Sequence, residues 1–429
     1  MLKNIGWMTV STLMRLGAGF LLFIFLARKL GPEIFGQLAY WLAFSSLLAL
    51  LVNYGFGLQL LREIGRDPNS AAKVYRATLA AKIVLSLLII VVGLVIGLLE
   101  SVPTTIFWSL LIMALAESFA EHINFVLRAL GYFDKEARFS LFTSALNFFG
   151  VLLPLLVFGT ITAVAVGFLL SRCATLLLGW RLALPFLPVM QKSNDWSFAD
   201  VWKTLRDGFP YAADMAVSTL NSTLDVILLS YMTSTKAVGL YQAGLKLMQG
   251  ANSIAPIVGN VYTPHIASQQ MQRADCSSIV TKLILKMSLL GGGVGAIFAV
   301  GNILITNLLF GVEYSQLSIL LPWFGLALIV RFVAAGFGIN LTAHGLQTVR
   351  VFANGLALVV LIVVAMIAIP IYGVVGMLMA FVCATLLVGA LYLGALYRQG
   401  IPTGINVLNV CVIFIFLAPI AIQILGNTK

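Results

Sequence analysis

Charge is what this sequence has least of: Asp, Glu, Lys and Arg together make up 10% of it. A soluble chain of 429 residues would need a far larger charged surface, so a water-soluble globular fold is excluded. Three histidines and four scattered cysteines, Cys173, Cys276, Cys383 and Cys411, give neither a disulfide framework nor a metal spacing. No metal and no cofactor is expected. No alternating ten-residue strands recur, which argues against a membrane β-barrel. A nucleotide-binding loop is missing too. Gly291, Gly292, Gly293 and Gly295 crowd together, but no Lys-Ser/Thr pair follows them, and close helix packing is the expected role.

What fills the chain is hydrocarbon: 61% of residues are hydrophobic and the mean hydropathy is +1.03. The apolar runs last about 20 to 25 residues, enough for a helix to cross ~30 Å of lipid. Six segments are expected at 7–28, 36–61, 77–99, 105–128, 139–158 and 160–184. Six more follow at 208–232, 238–264, 283–309, 316–342, 349–370 and 373–397, then a last one at 405–425. The amino terminus lacks a small-residue cleavage site and reads as an uncleaved first helix. The expected fold is an all-α integral membrane protein of 12 to 13 transmembrane helices. Its expected parts are an amino-terminal six-helix lobe (1–186), a cytoplasmic linker (187–207), a carboxy-terminal six-helix lobe (208–398) and an extra hydrophobic helix (399–429).

The net charge of +11 reports topology in such a chain, and no nucleic-acid partner is expected. Sixteen of the 26 Lys and Arg residues fall on the side of the amino terminus, four fall on the opposite side, and the rest lie inside segments. The positive-inside rule therefore puts the amino terminus and the central linker in the cytoplasm. The halves also echo each other. LGPEIFGQLAY entering segment two matches TSTKAVGLYQA entering segment eight, with Gly36 opposite Gly239. Gly131 pairs with Gly345, and Gly159 with Gly373, each 214 residues apart. A duplicated six-helix unit with a pseudo-twofold axis along the membrane normal is expected.

LARKLGPEIFGQLAY at the first hairpin, VGLYQAGLKL at its counterpart and IPIYGVVGMLMAFVCATLL near the end resemble the polysaccharide flippases. These are the Wzx-type translocases of O-antigen and capsule precursors, in the superfamily that includes the multidrug and toxin exporters. The resemblance spans about residues 1 to 400. It implies a two-lobed, MATE-like bundle around a central cavity that opens alternately to the two sides of a bacterial or archaeal cytoplasmic membrane. It implies a cargo of oligosaccharide on a polyprenyl diphosphate. No catalysis is expected, and with no ATP-binding motif the energy is expected from an ion gradient (H+ or Na+ being the candidate ions), the membrane potential or removal of product on the far side; a polysaccharide polymerase is a candidate partner. A multidrug exporter of the same superfamily is the alternative, and a membrane enzyme of polysaccharide assembly a more distant one.

Ionisable side chains inside spans are expensive, at least ~2.5–3.5 kcal/mol each on insertion scales, and each asks for a partner, a watery cavity or a function. Arg15 lies eight residues, or ~12 Å, inside the first segment. Its fork suits a diphosphate or the carboxylate of an acidic sugar. Lys246, Arg172 and Arg331 lie at comparable depth, so an electropositive interior is expected. Lys82 and Lys286 are expected to snorkel to the cytoplasmic surface. Glu117 and Glu121, four apart, share one helix face, which Arg128 continues. They either form a coupling-ion site or neutralise Arg172 and Arg15. The adjacent His122 is expected to be a hydrogen-bonded interior residue. In segment seven, Ser218, Asn221, Ser222 and Asp225 recur at helical spacing as one polar stripe. Ser218 and Asn221 are candidate sugar contacts, and Asp225 a further candidate for ion coupling.

Overall fold

The computed structural model describes residues 2–99, 102–183, 185, 198–271 and 276–427. Among these the regular structure is entirely helical, and eleven helices are long and apolar enough to cross a membrane. Residues 187–197 of the expected linker lie outside the described residues, while 198–207 are already helical.

Two breaks shape the start of the chain. Helix α1 (Leu2–Asn53) turns at Gly31, where φ is 71° and ψ 167°. A glycine adopts that backbone without steric cost, and Pro32 has no N–H to continue the helix. The arms of α1 correspond to the first two expected segments, but the second stops at Asn53. Tyr54 and Gly55, both at positive φ, separate it from α2 (Phe56–Arg66). Phe56, Leu60 and Ile64 recur on the buried face of α2, and Arg62 and Arg66 lie off it.

Helices α3 (Ala71–Leu99), α4 (Thr104–Ala129), α5 (Phe133–Phe158), α6 (Ile161–Ala183) and α7 (Phe198–Met232) follow. The first compact unit comprises residues 1–30 and 37–227, so most of α7 packs with the helices before it. Val201 joins Phe56, Ala80 and Ala81 in a shared apolar cluster. The division between units falls inside α7, not at the polar joint. Helix α4 is the centre of the first unit, with Leu110, Leu111, Ile123 and Val126 at 0 to 1% exposure.

The second unit comprises residues 31–36 and 228–429. It contains α8 (Thr235–Asn252), α9 (Ile254–Met271), α10 (Ser277–Val300), α11 (Asn302–Leu309), α12 (Leu317–Ala343), α13 (Gln347–Tyr372), α14 (Val374–Arg398) and α15 (Val407–Asn427). The single segment expected at 238–264 is thus two helices, because α8 carries Lys236, Gln242, Lys246 and Gln249 and the chain breaks at Ser253. Gly36 meets α8 backbone to backbone: a Cβ on Gly36 would lie 1.8 Å from the Thr235 carbonyl oxygen, and one on Gly239 1.8 Å from that of Pro32. The residues that echo each other in sequence therefore touch. The glycine run of α10 is a packing surface, with Gly291 against Phe332, Gly295 against Gly325 and Gly292 against Phe416 of α15.

The matched glycines all have positive φ, although Gly159 (ψ 13°) and Gly373 (ψ −127°) differ in ψ. Gly131 and Gly345 have φ of 81° and 76°, and Gly159 and Gly373 of 63° and 56°. Around the first pair the turn bonds coincide: Gly131 N–H to Arg128 O and Gly345 N–H to Thr342 O are both 3.1 Å. Tyr132 N–H to Leu127 O and Leu346 N–H to Leu341 O are both 2.9 Å. These are the paired bonds of a glycine-terminated helix, made twice at one sequence interval.

Candidate functional site

A cavity of about 230 Å³ opens inside the first unit among α1, α4, α5 and α6. Helix α1 contributes Arg15, α4 contributes Glu117, Glu121 and Asn124, and α6 contributes Arg172. Helix α5 contributes Ser140, Thr143, Ser144, Asn147 and Phe148. Four residues singled out in the sequence, Arg15, Glu117, Glu121 and Arg172, are thus brought together, though they come from three separate helices. Their convergence follows from helical spacing: Glu117, Glu121 and Asn124 lie at i, i+4 and i+7, one face of α4.

The charges are not equivalent. Arg172 Nη2 lies 2.9 Å from Glu117 Oε1, with the arginine side chain 16% and the glutamate 40% exposed. Arg15 makes no ion pair among the described residues and is exposed to the opening. Glu121 is likewise exposed there and unpaired among the described residues. Two guanidinium groups thus face two carboxylates. The electropositive interior expected from sequence does not hold for this cavity, because the α4 carboxylates share the space with the cations.

Other expectations fare differently. Lys82 does not snorkel: it is 2% exposed, with Nζ 5.7 Å from the centre of the Phe119 ring. Helix α3 turns it towards α4, against a ring that accepts a cation on its face. His122 is 2% exposed, stacks on Tyr75 at 5.6 Å and has Nε2 3.4 Å from Thr78 Oγ1, as an interior residue would. Arg128 leaves the Glu117 and Glu121 face and pairs with Glu136 at 2.8 Å across the α4–α5 turn.

Lys246 and Arg331 belong to the second unit. Lys246 Nζ donates to Gln249 Oε1 at 3.1 Å, and the Arg331 guanidinium lies 5.5 Å from the centre of the Phe381 ring. On α7, Ser218 and Asn221 are exposed, whereas Asp225 is 5% exposed and accepts from the Val226 N–H at 2.8 Å. None of these three is among the lining residues described for the cavity.

The sequence reading missed the polar wall from α5. Ser140, Thr143, Ser144 and Asn147 lie at i, i+3, i+4 and i+7, the same periodicity that marked the α7 stripe. The signal was there, but it is neutral and small, and a search led by charge passes over it.

A family model described as "Polysaccharide biosynthesis protein" matches residues 1–270. The chain is 24% identical over 307 residues to a protein of Escherichia coli (strain K12) provisionally named an O-antigen transporter, covering 70% of this chain and 73% of that one. A Shigella dysenteriae protein of the same name is 21% identical over 305 residues, covering 69% and 74%. Among solved structures, the lipid II flippase MurJ in an inward closed conformation superposes with a TM-score of 0.72 at 13% identity, covering 97% of both chains. An inward-facing MATE family multidrug resistance transporter of the MOP superfamily superposes with a TM-score of 0.68 at 15% identity, covering 92% and 98%. These likenesses establish the fold.

Proposed function

Since the chain belongs to the polysaccharide biosynthesis protein family, we propose that it is a flippase carrying a polyprenyl-diphosphate-linked oligosaccharide from the cytoplasmic to the outer leaflet by alternating access. The observation that carries the reading is a charged and hydroxyl-lined cavity enclosed by membrane-length helices. A glycan headgroup cannot cross ~30 Å of hydrocarbon unaided, since each unsatisfied polar group costs several kcal/mol there. A polar cavity between helices removes that cost while the prenyl chain stays in lipid.

In this reading the protein is a transporter of the cytoplasmic membrane with its amino terminus inside, and it carries out no catalysis. Arg15 and Arg172 meet the cargo in the first unit. Lys246 and Arg331, with Ser218 and Asn221, meet it elsewhere along the path. Glu121, reached from the cavity and in no ion pair among the described residues, is the candidate for H+ or Na+ coupling, with Glu117 and Asp225 in support. A polysaccharide polymerase would use the delivered product.

The test is leaflet-resolved analysis of lipid-linked oligosaccharide in cells lacking the protein. The complete unit should accumulate on the cytoplasmic face, and an Arg15→Ala copy should fail to relieve it. The two cavity carboxylates favour a second reading, an exporter of organic cations. Normal outward delivery in the deletion strain, with raised sensitivity to lipophilic cations, would establish that reading instead.

A further inference from the structure

We propose that the cavity of the first unit is a glycan subsite for one uncharged, hydroxyl-rich sugar of the cargo, and that the diphosphate is held outside it. The inference rests on the flippase reading and specifies which part of the cargo this cavity meets.

The charge balance argues first. Arg172 is already bound to Glu117 at 2.9 Å. A diphosphate placed here would meet one guanidinium in no ion pair among the described residues, that of Arg15, and confront the Glu121 carboxylate, likewise in none, at the same opening. An uncharged ring meets no such opposition, and both groups can hydrogen-bond to it.

The α5 wall argues more specifically. Thr143 Oγ1 donates to Phe139 O and Ser144 Oγ donates to Ser140 O, each at 2.8 Å. Their hydroxyl protons are committed to the helix, so towards the cavity these oxygens offer only lone pairs. Phosphate oxygens also carry only lone pairs, so the Thr143 and Ser144 stretch of this wall has no proton to give them. Sugar hydroxyls are donors and fit it. Asn147 Oδ1 lies 3.4 Å from Ser171 Oγ, whose proton goes to Phe168 O at 2.9 Å, so the Asn147 amide keeps both its oxygen and its N–H groups for a sugar. On α4, Asn124 Oδ1 is buried and without a partner among the described residues.

Size and shape agree. About 230 Å³ is below the roughly 300–1,000 Å³ of sites for drug-sized ligands, which suits one ring and not a whole oligosaccharide. Phe148 lines the same space and adds apolar surface that the C–H side of a pyranose can meet.

The experiment compares purified full-length protein in nanodiscs binding three probes: bare polyprenyl diphosphate, the same carrier bearing a neutral oligosaccharide, and the carrier bearing one with uronic acid at every position. The variants are Thr143→Val combined with Asn147→Leu, and Asn147→Gln alone as the conservative control. The double variant should bind the neutral glycolipid about tenfold more weakly, the loss expected for one or two hydrogen bonds. Its binding of the bare carrier should stay within about twofold of wild type, which also reports that the variant is folded. Asn147→Gln should recover most of the loss. Equal weakening of all three probes would place the diphosphate in the cavity and overturn the inference, as would unchanged binding of the neutral glycolipid. Preference of the wild type for the uronate probe would overturn it as well. If the wild type binds none of the three, the flippase reading itself fails.

Discussion

Arg15 and Arg172 look alike in the sequence, two arginines in mid-span, yet the structure separates their roles. Arg172 is held by Glu117, so its removal leaves a carboxylate at 40% exposure without its partner. Because both groups retain access to solvent, the pair should contribute about 1 kcal/mol and no more. A double-mutant cycle of Arg172→Ala and Glu117→Ala, read by thermal unfolding in detergent, should give a coupling of that order. Arg15 has no ion pair among the described residues, so Arg15→Ala should leave the unfolding temperature unchanged within a degree or two and act only on transport. A stability loss for Arg15→Ala as large as that for Arg172→Ala would contradict this division. The cost of burying a charge is visible in a sequence. Whether a partner meets it depends on which helix lies opposite, and no local signal names that helix.

Among the elements, the contact of residues 31–36 with α8 is the tightest consequence of small residues. A side chain at Gly36 would have to displace a backbone carbonyl, which cannot move as a flexible side chain can. Gly36→Val should therefore cut the yield of folded protein in detergent-resistant form severely, and Gly239→Val likewise. Gly355→Ala on α13 has nothing within 4 Å of the added Cβ and should be neutral or stabilising by up to ~1 kcal/mol through helix propensity. Size-exclusion profiles of the three variants check both halves of this statement. Helix α15 illustrates a different limit. Its hydropathy marks a membrane segment, but span and surface helix look alike by composition. The structure distinguishes them by register: Gly404 lies beside Val280, Phe416 beside Gly292, and Ile420 in one cluster with Ala299, so the chain tracks α10 along most of its length in the same direction. A helix that follows a spanning helix in this way spans with it.

For the whole molecule, that direction makes a topological prediction. The charge count puts the α14 end, near Arg398, in the cytoplasm, and α15 then carries the carboxy terminus across. Alkaline phosphatase fused after Arg398 should be inactive in cells, and the same enzyme fused after Asn427 should be active. Activity at both sites, or at neither, would overturn this arrangement. The sequence by itself determined the class of molecule, since a chain this apolar has no other stable environment, and it determined most of the apolar segments, the charge bias and the paired glycine turns at 131 and 345, but not the helix breaks at Tyr54–Gly55 and Ser253. These are properties of composition and of spacing along one helix. Only the tertiary structure decided that α7 packs largely with the first unit, that Lys82 turns inward onto Phe119, and that Arg15, Arg172, Glu117 and Glu121 share one cavity with the hydroxyl face of α5. The physical reason is that helical periodicity says which residues share a face, whereas the partner of that face is chosen by packing among helices distant in sequence.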